Sequence, residues 1–290
     1  MPDPGVLYLC STPIGNMEDI TLRALRVLRE VDLVAAEDTR RTGLLLRRHG
    51  IEAPLISYHE HNEVERAQEL VERLLAGESV ALVSDAGTPA ISDPGYEIVR
   101  RAVDAGVKVV AVPGASALLA ALIASGLPPQ PFYFGGFLPR RSAERRRLLD
   151  GLASLAATLV FYEAPHRLTA ALDDVASVFP DRTVAVAREL TKVHEEIVRG
   201  PAVELLRRFS DCPPKGECVL VIGPEEAPRS KGREITEDEI ARALAASLKS
   251  GKTKKEAVRE VASHLGVSRN RVYDAAIQLS LTDTPESADS

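Results

Sequence analysis

Cysteine is scarce: Cys10, Cys212 and Cys218 are all that 290 residues contain. An odd, sparse set excludes a disulfide framework, cannot supply a four-thiolate metal site, and fits the reducing cytoplasm. No apolar run approaches the ~20 residues that a bilayer-crossing helix needs, so no membrane association is expected. Met1 to Gly5 carry no basic charge and run straight into a strand-like segment, so no secretory leader is expected. Positive charge is not in excess either. With 36 Lys and Arg against 42 Asp and Glu the net charge is −6, which excludes a globally basic nucleic-acid coat but leaves room for local patches. The chain also lacks G-x-G-x-x-G, a Walker A string and G-x-S-x-G. The signatures of the common dinucleotide fold, of P-loop NTPases and of α/β-hydrolases are therefore missing. No internal repeat or low-complexity block stands out.

What is present is an ordinary globular composition, 45% hydrophobic and 27% charged, at a length that suggests about two domains. Short β-rich runs at 6–10, 32–36, 80–83 and 107–112 alternate with amphipathic segments at 21–30, 62–77 and 98–105, which argues for a mostly parallel sheet covered by helices. In the third of these Asn62 and Glu65 have capping-box spacing, Val64, Ala67, Val71 and Leu74 make the apolar face, and Gly77 stops the helix. A small-residue helix is expected at 115–125. Strand-like runs at 132–134, 157–162, 183–188, 194–199 and 218–222 follow, and their succession without evident helices between most of them suggests a mixed sheet. The expected organisation is thus an α/β protein with a parallel-sheet domain at 1–115, a mixed-sheet α/β domain at 116–224, a polar linker at 223–233, a helical unit at 234–280 and a polar tail.

Three loops follow strands of the first domain, where α/β sheets bind ligands. Ser11-Thr12-Pro13-Ile14-Gly15-Asn16 follows the first. Ser84-Asp85-Ala86-Gly87-Thr88-Pro89 continues to Asp93-Pro94-Gly95 and is dense in Gly, Pro, Asp and hydroxyl residues. There Gly87 lets backbone groups approach a ligand, and Asp93 reads as a helix cap. Val112-Pro113-Gly114-Ala115-Ser116-Ala117 opens a helix whose first N–H groups are free. In the second domain Tyr162-Glu163-Ala164-Pro165-His166-Arg167 and Arg188-Glu189-Leu190-Thr191-Lys192 sit at strand ends. Lys215-Gly216-Glu217 reads as a hairpin turn. His59-Glu60-His61 would put two imidazoles on one face of a strand, but no third ligand stands nearby, so no metal site is expected.

The C-terminal segment reads as helix-turn-helix. Thr253 and Glu256 form a capping box. Ala257, Val258, Val261, Ala262 and Leu265 make an apolar face closed by Gly266, and Val272, Ala276 and Ile277 follow on a second helix. Lys252, Lys254, Lys255, Arg259, Arg269 and Arg271 make it locally basic, as nucleic-acid binding requires. Arg140, Arg141, Arg145, Arg146 and Arg147 would form a second positive stripe.

Taken together these strings resemble the small-subunit ribosomal RNA 2′-O-ribose cytidine methyltransferases, a branch of the tetrapyrrole-methylase superfamily. The resemblance runs from Leu7 to about Ile277 and rests on Thr12–Asn16, Ala36-Glu37-Asp38-Thr39-Arg40, Ser84–Pro89, Val112–Ser116, Tyr162–Arg167 and Arg188–Lys192. It implies two α/β domains with S-adenosylmethionine between them, a homodimer, and a helical RNA-binding unit. The cofactor contacts it implies are Pro13, Ile14, Ser84, Asp85, Ala86, Gly87, Thr88, Ser116, Ala117, Tyr162, Glu163, Ala164, Glu189 and Leu190, with Glu217 a further candidate. The implied substrate is a cytidine ribose in the decoding region of 16S rRNA, within the 30S subunit. Activation of a ribose hydroxyl needs a base or a positive charge, for which Glu37, Asp38, Glu163 and Lys192 are of the right type. RNA contacts are expected from Arg140, Arg141, Arg145, Arg146, Lys254, Lys255, Arg269 and Arg271. The first loop lacks the Gly-rich stretch followed by Asp of corrin and porphyrin methylases, and the basic C-terminal unit is foreign to them. The alternatives are a tetrapyrrole methylase and a ligand-sensing DNA-binding regulator.

Overall fold

The computed structural model describes residues 3–225, 236–250, 252–265 and 267–282. The linker residues 226–235, Gly266, the tail residues 283–290 and the side chain of Ile277 lie outside the described residues. The chain divides into two compact units, Met1–Glu226 and Ala227–Ser290.

The first unit opens with a parallel sheet. β1 (Val6–Cys10), α1 (Leu22–Glu30), β2 (Leu33–Ala36), α2 (Thr39–Arg48), β3 (Leu55–Ser57), α3 (Glu63–Leu75), β4 (Val80–Val83), α4 (Tyr96–Asp104) and β5 (Lys108–Val112) alternate along the chain. The strands order as β3-β2-β4-β1-β5, all parallel. The strands β2 and β4 are buried on both faces, as their unbroken apolar runs require. α3 and α4 cover one face through Leu70, Leu74, Ile98 and Ala102, while α1 and α2 cover the other through Val27, Leu28 and Leu46. Each such leucine contributes about 1.5–3 kcal/mol by leaving water. β1 and β4 are neighbours whose chains leave toward opposite edges of the sheet, so a crevice opens above their carboxyl ends.

The second sheet follows α5 (Ala117–Ala124). It comprises β6 (Phe132–Phe137), α6 (Ser142–Gly151), β7 (Thr158–Glu163), α7 (Leu168–Val178), β8 (Thr183–Arg188), β9 (Glu196–Pro201), α8 (Ala202–Asp211) and β10 (Cys218–Ile222). The order is β6-β7-β10-β8-β9, with β6 and β7 parallel and the other pairs antiparallel. The sheet is mixed as expected, but helices do intervene, and only β8 and β9 follow one another directly. α6, α7 and α8 pack one face around Phe161, Leu172 and Phe209. α5 and Ile14 pack the other around Val160, Ala185 and Val219.

The second unit holds α9 (Glu237–Lys249), α10 (Lys254–Leu265) and α11 (Arg269–Thr282) around Ile240, Leu244, Val261 and Val272. The capping box of Thr253 and Glu256 forms with both bonds in place, and Ala257, Val258, Val261 and Ala262 are buried as their spacing dictates.

Two details of α3 differ from the sequence reading. Asn62 does not cap it. Its Oδ1 accepts from His59 N at 2.8 Å and its Nδ2 donates to Ser57 O at 3.3 Å, so it locks the preceding turn instead. Val64 is 60% exposed, and the fourth apolar position is taken by Leu70. His59 and His61 lie in that turn rather than on a strand, with ring centroids 6.0 Å apart.

Candidate active site

The three loops of the first domain meet. Thr12 and Gly87 form an isolated antiparallel bridge, Thr12 N donating to Gly87 O at 2.8 Å and Gly87 N to Thr12 O at 3.1 Å. The backbone groups of Gly87 are therefore consumed in stitching two loops, and are not left for a ligand as the sequence suggested. Its φ of +85°, which an L side chain rarely adopts, explains why glycine stands there. Ser11 Oγ and Thr88 Oγ1 lie 2.9 Å apart, and Thr12 Oγ1 donates to Ser84 O at 3.1 Å. Ser116 caps α5 by accepting from Leu119 N at 3.4 Å.

The second domain contributes 188–192. Asn16 N donates to Thr191 Oγ1 at 3.0 Å, and a Cβ on Gly15 would stand 2.6 Å from Lys192 Cγ. Gly216 fits under the same loop, for a Cβ there would fall 1.7 Å from Glu189 Oε1. Among the described residues the non-glycine positive φ angles are at Ala90, Ser92, Glu189 and Thr191. All four lie in the loops that border the cleft, where strain of this kind persists only if the surroundings impose it.

A row of carboxylates follows the ends of β2 and β4. Asp85 Oδ1 accepts from Asp38 N at 3.0 Å, Asp85 Oδ2 meets Arg41 Nη1 at 3.1 Å, and Asp85 N donates to Glu37 Oε2 at 3.3 Å. Asp93 joins them beside Ser84. Burial first, then the Glu37 charge, pushes its carboxyl up to about 6. Asp93 is not the cap of α4, which is Gly95 at φ +148°. The sequence reading missed this residue because Asp-Pro-Gly before a helix looks like a capping sequence.

The four residues expected to activate the hydroxyl separate. Glu37 lies in the carboxylate row. Asp38 caps α2 and is gripped by Arg40 through hydrogen bonds that hold it well below the ordinary carboxylate range, so it is a weak base. Lys192 is bonded to Glu189 at 2.9 Å and meets Glu217 at 3.6 Å; these partners raise its pKa, making it a fixed cation and not a proton acceptor. Glu163 is only 1% exposed and shares the Phe161 face of β7, opposite Tyr162. It pairs with Arg167 at 3.3 Å, and burial raises its pKa. The alternation of a strand thus removes Glu163 from the Tyr162 side.

Ile14, Ala117, Tyr162 and Leu190 belong to one apolar cluster at the domain junction, whereas Glu189 is tied to Lys192. Pro13, Ala86 and Ala164 are carried by the same loops.

The positive stripe on α6 breaks up. Arg145 is 3% exposed and donates to Asp174 Oδ2 at 2.6 Å, to Pro139 O at 3.1 Å and to Ala170 O at 3.1 Å. It belongs to the core and cannot meet RNA. Arg146 is held by Asp174 as well. Arg140 and Arg141 remain at the surface. In the second unit Lys254, Lys255 and Arg269 are exposed, and Arg271 is bonded to Glu237 at 2.8 Å. Lys252, Arg259, His264 and Arg269 share an open basin with Glu256 and Glu260, so this surface is less uniformly basic than the sequence implied.

Residues 6–206 match the family described as Tetrapyrrole (Corrin/Porphyrin) Methylases. Proteins named Ribosomal RNA small subunit methyltransferase I are similar along nearly their whole length. That of Halalkalibacterium halodurans is 46% identical, covering 94% of each chain. That of Synechocystis is 46% identical, over 95% of this chain and 98% of its own. That of Bacillus subtilis is 45% identical over 94% of each. Among solved structures, a uroporphyrin-III-C-methyltransferase from Thermus thermophilus superposes with a TM-score of 0.55 at 24% identity, over 76% of this chain and 94% of that one. A diphthine synthase superposes with a TM-score of 0.60 at 18% identity, over 76% and 90%. These two likenesses speak to the fold alone; the family match, over most of the first unit, establishes that the chain belongs to the tetrapyrrole (corrin/porphyrin) methylase family.

Proposed function

We propose that the protein is a cytoplasmic S-adenosylmethionine-dependent methyltransferase that modifies the ribose 2′-hydroxyl of a cytidine in the decoding region of 16S rRNA. The observation that carries this reading is the 46% identity, over 94% of each chain, to a protein named for small-subunit ribosomal RNA methylation. The basic residues of the C-terminal helical unit support it over a tetrapyrrole substrate.

The cleft suits the cofactor. A cradle that an ordinary Cβ would strain at Gly87, an apolar wall of Ile14, Leu190 and Tyr162, and the carboxylates of Glu37, Asp85 and Asp93 match an aromatic base on a sulfonium-bearing cation. Pro13, Ile14, Ser84, Asp85, Ala86, Thr88, Ser116, Ala117, Tyr162, Ala164, Glu189 and Leu190 would hold it, with Gly87 shaping the loop beneath. When bound, it supplies an electrophilic methyl group already activated for in-line attack. The protein's task is then alignment and proton removal. Asp93 is the best placed acceptor for the hydroxyl proton: it is ionised at neutral pH and more basic than a free carboxylate. Burial first, then the charges of Glu37 and Asp85, give it that added basicity, and Lys192 fixes the 188–192 loop. The domain division at 1–115, 116–224 and 234–280 is part of this reading. So is a homodimer, which the exposed Leu119 and Ile123 of the wholly apolar α5 favour.

The test offers labelled S-adenosylmethionine with 30S subunits, naked 16S rRNA and a tetrapyrrole precursor in parallel. Nucleoside mass spectrometry should find 2′-O-methylcytidine in an RNA product. Label in the tetrapyrrole alone would overturn the reading.

A further inference from the structure

β6 carries an irregularity that the fold does not need. It pairs in register with β7 from Phe132 to Phe134, then shifts before Phe137 meets Tyr162. Gly135 and Gly136 occupy the shift. A Cβ on Gly135 would lie 2.3 Å from the Phe161 ring, and Gly136 has φ +65°. Bulges of this kind turn a side chain to a new direction and are common beside active sites. Here the side chain that follows is Phe137, which is 57% exposed in a chain with six phenylalanines and no tryptophan.

Phe137 is exposed but not loose. Its ring stands edge-on to Tyr162 at 5.5 Å, and Tyr162 is itself braced by Phe134 at 5.0 Å. The next residues are clamped from beneath, Arg167 donating to Leu138 O at 2.6 Å and Pro139 O at 2.9 Å. On the open side, a Cβ at Gly136 would be 3.5 Å from Ser92 Oγ, so this strand end borders the loop that carries Asp93. Three and four residues further along the chain are the surface cations Arg140 and Arg141.

A braced, exposed ring beside a proton acceptor, with the exposed guanidinium of Arg140 and that of Arg141, paired to Glu144 at the surface, next along the chain, is the arrangement that receives a splayed-out base and its phosphate. We propose that Phe137 is the stacking platform for an unpaired nucleobase of the RNA substrate, set in place by the Gly135-Gly136 bulge. The inference rests on the RNA reading above. It goes beyond it by assigning the base a subsite on the second domain, whereas the cofactor loops lie mainly on the first.

The chain's lack of tryptophan supplies the probe. In Phe137→Trp the only indole of the full-length protein reports on this site. Addition of a single-stranded RNA oligonucleotide that spans the decoding-region cytidine should quench its fluorescence, and the same oligonucleotide paired to its complement should not. In parallel, Phe137→Ala should lower kcat/KM for 30S subunits between about 5-fold and about 100-fold. Cofactor affinity and Tm should stay at the parent values, and Phe137→Tyr should restore the rate. An unquenched indole, or a Phe137→Ala rate equal to the parent's on RNA, overturns the platform while leaving the methyltransferase reading intact. Quenching in a protein that methylates no RNA keeps the platform and removes the reading.

Discussion

Asp93 has two costs attached to it, and both are measurable. Its carboxyl titrates near 6 in the folded chain against 3.8 for a free side chain, so between those values the folded protein binds the extra proton. The stability this group contributes is present in full below about pH 3.8 and is lost as pH rises through about 6. Asp93→Asn should therefore melt above the parent at pH 7.5, with the gap closing toward pH 4 in parallel thermal scans. The same substitution should lower kcat by about 10²-fold or more and remove the acidic limb of the rate profile near pH 6, if a positioned base is worth its usual amount. A variant that melts higher yet keeps the parental rate and profile would move the proton acceptor elsewhere. At this scale the sequence was legible where spacing alone decides. It marked Asp85, Gly87 and Ser116 as belonging to converging loops. It failed where only neighbours decide: Lys192 is a fixed cation because Glu189 and Glu217 surround it, and Asp38 is a weak base because the Arg40 guanidinium grips it.

Elements show the same division. The periodicity of the chain placed β1, β4 and β10 and the core of α10 correctly, because burial on one face or two leaves a pattern. It did not reveal α2 or the three-residue β3, which are held by the sheet they join and not by a strong local signal. The arginines at the start of α6 and just before it are the clearest case. The five look alike in sequence, yet Arg145 is buried on Asp174 while Arg140 and Arg141 face solvent. Arg145→Ala should destabilise the protein by about 3–5 kcal/mol in denaturant melts, because it leaves the Asp174 charge without its buried partner. Arg140→Ala should leave stability unchanged and reduce the salt dependence of RNA binding by roughly one counterion. Equal stability loss in the two variants would contradict the burial pattern. At β6, Gly135→Ala should cost about 1–3 kcal/mol, since the wholly buried Phe161 ring has little room to retreat. A parental midpoint in urea would show that the bulge tolerates a side chain.

For the whole molecule the question is what each compact unit does. Residues up to Glu226 form one and the helices after Ala227 the other. A chain ending at Glu226 should fold and bind S-adenosylmethionine with parental affinity by calorimetry, while losing affinity for 30S subunits in filter binding. Loss of cofactor binding on this truncation would show that the helical unit completes the cleft. The amino-acid sequence by itself determined the parallel sheet, the mixed sheet, the helical unit and the converging glycine-rich loops. These follow from hydrophobic periodicity and turn chemistry, which are local. Only the tertiary structure decided which charges act and which brace, that Arg145 is buried on Asp174, and that a bulge presents Phe137. Those outcomes depend on which groups from distant segments share a low-dielectric neighbourhood, and no short-range pattern in the chain records that.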